Sequence, residues 1–170
     1  MELFVIRHGI AEPLGKENGF SDENRKLTVE GCNRMREVVK GLVKLGIQLD
    51  LILTSPLERA IQTAEIVATS IGLSKKEIKQ TPNLAPGASA DALFAEIKSH
   101  PGVESIALIG HQPDLSGLVS TIIHSDAGKL SIQLKKGGVC CLDVTERVPT
   151  LRGDMLWLLT PRQLRLVAKT

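Results

Sequence analysis

The apolar residues of this chain fall in short unbroken runs, and each run stops abruptly at polar residues of similar kinds. Leu3-Phe4-Val5-Ile6 stops at Arg7-His8-Gly9. Leu51-Ile52-Leu53 gives way to Thr54-Ser55-Pro56, with Arg59 about a turn further on. Ile106-Ala107-Leu108-Ile109 stops at Gly110-His111-Gln112-Pro113. Short β-rich runs bounded by turn signals predict strands buried on both faces, here over 2–6, 50–54 and 105–109.

Between the runs the apolar spacing changes to that of helices. Thr28 is the N-cap candidate for a helix over 29–45, with Val29, Met35, Val38, Val39, Leu42 and Val43 on its apolar positions and Gly46 as its stop. Ser55 as N-cap and Pro56 at the first position predict a helix over 56–71, ending before Gly72. Two further helices are predicted, over 89–99 and from Pro113 to about 123. The stretch 77–87, with Pro82 and Pro86, reads as short and extended, and 9–26 as a long polar loop of the functional kind.

Strands alternating with helices need crossover connections, so the fold class is α/β with a mostly parallel central sheet flanked by helices. The last third is β-rich at 131–134, 138–144 and 155–159, with a hairpin-turn signal at Lys136-Gly137-Gly138. These strands are expected to extend the sheet, with a short closing turn at Pro161-Arg162-Gln163-Leu164. With 170 residues the whole chain, 1–170, is expected to form one domain.

Composition narrows the function classes. The net charge is +2, and three Phe, one Trp and no Tyr leave little for base stacking, so no nucleic-acid partner is expected. No apolar run is long enough to span a bilayer, and no secretory signal precedes the first strand, so no membrane partner is expected. The three cysteines show no CxxC spacing, and Cys140 and Cys141 should point to opposite faces of a strand. That usage fits apolar packing in a reducing cytoplasm, the expected location. No phosphate-loop, dinucleotide or HExxH pattern is present, so neither cofactor nor metal is expected.

The polar residues follow their strands at one end, the carboxyl edge where open α/β sheets bind ligands. Arg7, His8, Arg59 and His111 should therefore converge. Guanidinium groups match phosphate oxygens with bidentate, permanently charged donors. A histidine can attack phosphorus and carry the phosphoryl group covalently. Surrounding it with cations suffices, because phosphoryl transfer is mostly positioning and charge stabilisation. His8 is the nucleophile candidate, Arg7 an anion clamp, and Gly9 a place for an anion to approach the backbone. Arg25, just before the helix start at Thr28, adds a third arginine. His100 and His124 read as structural.

Arg7-His8-Gly9 after an N-terminal strand, Ser55-Pro56 with Arg59-Ala60 and Gln62-Thr63, and Gly110-His111 resemble the histidine phosphatase superfamily, the phosphoglycerate mutase-like fold. Arg25-x-Leu27-Thr28-x-x-Gly31, His111-x-Pro113 and the short length make the chain most similar to the SixA-type phosphohistidine phosphatases of that family. The resemblance implies His8 as the phosphorylated nucleophile, Arg7, Arg25 and Arg59 as phosphate ligands, and His111 as the second pocket histidine. It implies a metal-independent hydrolase acting on protein phosphohistidine, such as that of a histidine phosphotransfer domain. Larger relatives carry a proton-donating carboxylic acid in a Pro-Glu-Leu-like stretch, where this chain has Pro82-Asn83-Leu84. Asn83 cannot act as that acid, and Glu12, Asp91 and Asp114 are the carboxylates able to replace it. Two alternatives stand beside this expectation: a phosphatase of a small phosphorylated metabolite, and a non-catalytic phosphate- or phosphoprotein-binding module.

Overall fold

Among the described residues, six strands form one mixed sheet in the order β3-β2-β4-β1-β5-β6. In this computed structural model residues 1–15, 21–124, 130–146 and 151–170 are described. The strands are β1 (Glu2–Arg7), β2 (Leu51–Thr54), β3 (Ile78–Gln80), β4 (Ser105–Gly110), β5 (Val139–Glu146) and β6 (Arg152–Leu159). The helices are α1 (Val29–Lys44), α2 (Glu58–Ile71), α3 (Ala90–Lys98), α4 (Asp114–His124) and α5 (Pro161–Val167). β4 pairs in parallel with β1 and with β2, and β2 with β3, while β5 runs antiparallel to both β1 and β6. Five of the six strands therefore share one direction, and the chain is an α/β domain.

The unbroken apolar runs are explained by burial on both sides of the sheet. Leu3, Val5, Leu51, Leu53, Ile106 and Leu108 face a cluster completed by α3 and α4. Phe4, Ile6, Ile52, Ala107 and Ile109 face the opposite cluster, completed by α1, α2 and Leu164 of α5. Cys140 and Cys141 fall in different clusters, as their adjacency on a strand requires. Burial pushes both thiols up to about 12.

Several sequence expectations change. Val29 is not a core position: it lies in the first turn of α1 and is 80% exposed. Val43 is exposed as well. Ser55 does not cap α2; the N-cap is Leu57, whose N–H donates to Ser55 Oγ at 3.3 Å, and the helix starts two residues later than expected. The stretch 131–134 is not a strand, because its carbonyls are taken by side chains. Ser116 Oγ–H donates to Ile132 C=O and Arg7 Nη1–H to Leu134 C=O. The turn at Lys136-Gly137 is present but leads into β5 instead of joining two strands, and β5 pairs with β6. The closing segment is a seven-residue helix, α5, with a capping box between Thr160 and Gln163.

Glycine is needed where α1 meets the loop after β1. A Cβ on Gly31 would lie 2.1 Å from the carbonyl oxygen of Ile10. This close approach, with the bonds of Thr28 N–H to Ile10 C=O and Glu12 N–H to Lys26 C=O, presses the loop onto the start of α1.

Candidate active site

Parallel pairing brings three strand ends together. Arg7 is in register with Gly110, and Thr54 with Ile109. The ladder continues one residue beyond the strands: His8 N–H donates to Gly110 C=O at 3.2 Å, and Ser55 N–H to Ile109 C=O at 2.9 Å. His8, Ser55 and His111 therefore stand side by side, and the two imidazole rings are 5.1 Å apart between centroids.

His8 is 7% exposed, and its Nδ1 lies 2.7 Å from Gly9 C=O. A carbonyl can only accept, so Nδ1 carries the proton and Nε2 keeps its lone pair. Arg59 leads to the same assignment, since its Nε–H donates to His8 Nε2 at 3.3 Å. Burial pushes the His8 pKa down to about 3, with the bond to Gly9 opposing that shift and His111, Arg59 and Arg7 adding to it. His8 is thus a neutral imidazole with its proton on the far nitrogen, the form in which a histidine is a nucleophile.

Arg59, in the first turn of α2, is 4% exposed. Besides His8, it donates from Nη1 to the backbone carbonyl of Asp22 at 2.5 Å and from Nη2 to Asp22 Oδ2 at 3.1 Å. Arg25 donates to Asp22 Oδ1 from Nε at 3.0 Å and Nη2 at 2.6 Å, and from Nη1 to Glu12 C=O. Arg7 is anchored by Leu134 C=O at 2.9 Å, and its Nε is buried without a partner among the described residues. Desolvation lowers the pKa of both Arg7 and Arg59, although each guanidinium stays charged. The expected residues Arg7, His8, Arg25, Arg59 and His111 are therefore brought to one place.

His111 Nε2 lies 2.8 Å from Ser55 Oγ, which already accepts from Leu57 N–H. Ser55 Oγ–H can donate to Nε2, or Nε2–H to the second lone pair of Oγ, and Nδ1 is buried without a partner among the described residues. Burial first, and then the charge of Arg59, pushes the His111 pKa down to about 4. Ser55 Oγ therefore meets both His111 Nε2 and the N–H of Leu57, the N-cap of α2.

Gly9 does not open the backbone to an anion. Its N–H donates to Thr63 Oγ1 at 3.1 Å, and a Cβ there would meet Met35 Cγ at 2.8 Å and Leu27 Cδ2 at 3.2 Å. Glycine is required by packing against α1. Thr63 Oγ1 in turn donates to Arg59 C=O, and Gln62 Oε1 accepts from Leu27 N–H, so one turn of α2 holds the loops of both His8 and Arg25.

The carboxylates are arranged differently from the expectation. Asp22, three residues before Arg25, was not singled out from sequence, yet it is the one that bridges Arg25 and Arg59. Its single legible signal is i,i+3 spacing to an arginine inside a polar turn. Burial works to raise its pKa, but the hydrogen bonds from Arg25 and Arg59 prevail and hold it below the usual carboxylate value. Asn83 Nδ2 donates to Glu96 Oε2 at 2.7 Å, and Thr81 Oγ1 donates to the same oxygen. Glu12 touches Arg25 through its backbone, and Asp91 is an exposed residue in the first turn of α3. Asp114 lines an apolar cavity of about 180 Å³ together with His111, Asn83, Leu84 and Leu115, and its Oδ2 accepts from Gly87 N–H. No group of three or more His, Cys, Asp or Glu able to hold a metal occurs among the described residues.

A neutral histidine with its Nε2 lone pair toward Arg59, beside two further arginines and a second histidine at the carboxyl edge of a sheet, is chemically suited to bind and accept a phosphoryl group. The chain belongs to the histidine phosphatase superfamily: residues 3–85 match its branch 1. It is 31% identical over 125 residues to the phosphohistidine phosphatase SixA of Escherichia coli K12, covering 72% of this chain and 74% of that protein. It is 36% identical over 163 residues to an uncharacterized protein of Picosynechococcus sp. PCC 7002, covering 94% and 96% of the two chains. Among solved structures, the protein histidine phosphatase SixA complexed with tungstate superposes with a TM-score of 0.84 at 26% identity, over 96% of this chain and 99% of that one. Within the superfamily, these relatives mark the chain as a phosphatase.

Proposed function

We propose that this phosphatase removes the phosphoryl group from protein phosphohistidine through a covalent intermediate on His8. The observation that carries the reading is the fixed tautomer of His8, whose Nδ1–H is held by Gly9 C=O while Nε2 faces Arg59 Nε–H. His8 Nε2 attacks phosphorus, the P–N bond to the substrate imidazole breaks, and that imidazole leaves with the bonding pair. Arg7, Arg25 and Arg59 balance the phosphoryl charge, and His111 contributes a further N–H. Water then attacks phosphorus, releasing phosphate and restoring His8.

The substrate class follows from the leaving group. An alkoxide needs a proton in the transition state, whereas an imidazole whose other nitrogen is protonated leaves neutral. Asn83 offers no acid, and its amide is engaged with Glu96. The similarity to SixA supports the same assignment, and a histidine phosphotransfer domain is the partner proposed with it. Cytoplasmic residence belongs to this proposal, and no helix among the described residues is long and apolar enough to cross a membrane. A second reading, a phosphatase of a small metabolite, is favoured by the apolar cavity beside His111 with Asp114 in its wall.

Turnover of a phosphohistidine-bearing phosphotransfer domain, measured beside p-nitrophenyl phosphate and a sugar phosphate, separates these readings. The proposal expects rapid release from phosphohistidine, slow release from the aryl ester and very little from the sugar phosphate. Equal rates on the sugar phosphate overturn it in favour of the metabolite reading. Release from none of the three, with tungstate still bound, leaves a binding module.

A further inference from the structure

The Asp22 carboxylate sits between two arginines that the proposed reaction needs for phosphate. Oδ1 accepts from Arg25 Nε and Nη2, and Oδ2 accepts from Arg59 Nη2. With the bonds to Glu12 C=O, Asp22 C=O and His8, each guanidinium nitrogen of both residues makes a hydrogen bond, and only the second N–H of each Nη remains. A phosphoryl group bound as proposed competes with the Asp22 carboxylate for donors of Arg25 and Arg59. Backbone carbonyls are fixed by the chain. The Asp22 side chain is 47% exposed, carries the same sign of charge as the incoming group, and is free to turn toward water.

We propose that Asp22 is a specificity-determining residue: its carboxylate takes donors of Arg25 and Arg59 in the resting site, as an internal anion with which an incoming phosphoryl group has to compete. The proposal rests on the reading of this pocket as a phosphoryl site. Without ligand, the carboxylate offsets the repulsion between Arg25 and Arg59 and keeps both guanidiniums oriented. Displacing it costs part of the binding energy of any free oxyanion, so small anions and the product phosphate are held more weakly than they would be without Asp22. A phosphoryl group delivered on a protein brings contact surface of its own and displaces Asp22 more readily. Asp22 thereby favours the protein-borne phosphoryl over inorganic phosphate and hastens product release.

Competitive inhibition and direct calorimetric binding of tungstate and of inorganic phosphate test this on the full chain, using wild type, Asp22→Asn, Asp22→Ala and Glu23→Gln. The last variant removes the same charge one residue away, and thermal melts verify that each variant is folded. Loss of the internal competitor is expected to tighten both oxyanions about five- to tenfold in the two Asp22 variants, against less than twofold in Glu23→Gln. For p-nitrophenyl phosphate, KM should fall by a similar factor while kcat changes less. Unchanged or weaker oxyanion binding in folded Asp22 variants overturns the inference and leaves Asp22 a buttress for the arginines. Equal tightening in Glu23→Gln also overturns it, since bulk charge then suffices. No oxyanion binding by any folded form, wild type included, overturns the phosphoryl-site reading itself.

Discussion

Arg59 Nε lies 3.3 Å from His8 Nε2, although the two residues are 51 positions apart. This N–H ties Arg59 to the nitrogen that attacks in the proposed reaction, so attack requires that bond to be released, which frees the same N–H to donate to the phosphoryl oxygens.

Replacing His8 tests the covalent route. His8→Ala is expected to abolish turnover, with a loss of about a thousandfold or more, while the fold survives because the side chain caps a strand end. Substrate labelled in the phosphoryl group should mark wild type transiently through an acid-labile, alkali-stable bond. Label retained on His8→Ala removes His8 from the role.

Arg59→Ala should lower kcat/KM and tungstate affinity together, by at least about ten- to a hundredfold, as expected for loss of a charged hydrogen-bonding partner worth about 1.5–3 kcal/mol. Arg59→Lys should rescue little. One ammonium cannot reproduce a fork that reaches His8 from Nε and Asp22 from both Nη1 and Nη2. Wild-type kinetics in either variant contradict the assignment.

The histidines give the protein a defined response to acid. Their pKa values in the fold, about 3 for His8 and about 4 for His111, lie below the ordinary 6.5. The unfolded chain therefore binds protons that the folded chain refuses. Their contribution to stability is complete above pH 6.5 and is lost as pH falls toward 4 and then 3, at about 1.4 kcal/mol per pH unit for each histidine. Urea unfolding at pH 7.5, 6 and 5 should show this slope in wild type and a shallower one in His8→Asn. An identical slope in the variant speaks against burial of a neutral His8.

The leaving-group argument can be checked at two positions. Asn83→Glu alone is expected to give no gain on alkyl phosphates and some loss of stability, because the new carboxylate faces Glu96. Asp114→Asn should leave phosphohistidine turnover within about threefold of wild type, as P–N cleavage needs no acid. Loss of activity on phosphate esters alone in Asp114→Asn makes Asp114 the proton donor and supports the metabolite reading.

Exhaustive chelation is expected to leave kcat/KM unchanged, since the arginines supply the positive charge. Activity that falls with EDTA and returns with Mg²⁺ or Zn²⁺ refutes a metal-independent mechanism.

The sequence revealed His8 and His111 because each ends an apolar run that is buried on both faces, a signal that depends on the chain's own composition. It did not reveal Asp22, whose role exists only once α2 brings Arg59 across to the loop of Arg25. Ser55 looked like an N-cap since serine before proline satisfies that pattern, and only the neighbouring strand end shows that its hydroxyl serves His111. The β-rich spacing of 131–134 was real, yet Arg7 and Ser116 took the carbonyls that a strand would have used. Helix α5 escaped because seven residues are too few for a periodic pattern.

The ladder that runs past the strand ends divides the pocket into two mechanical parts. His8 and Ser55 hang from sheet hydrogen bonds to Gly110 and Ile109, so neither can shift without opening the centre of the domain. Arg25 and Asp22 hang from a turn, tied in by side chains. Under the proposed function, adaptation toward another phosphorylated partner has its freedom on the turn around Arg25 and Asp22, where exchanges leave the sheet-held His8 in place.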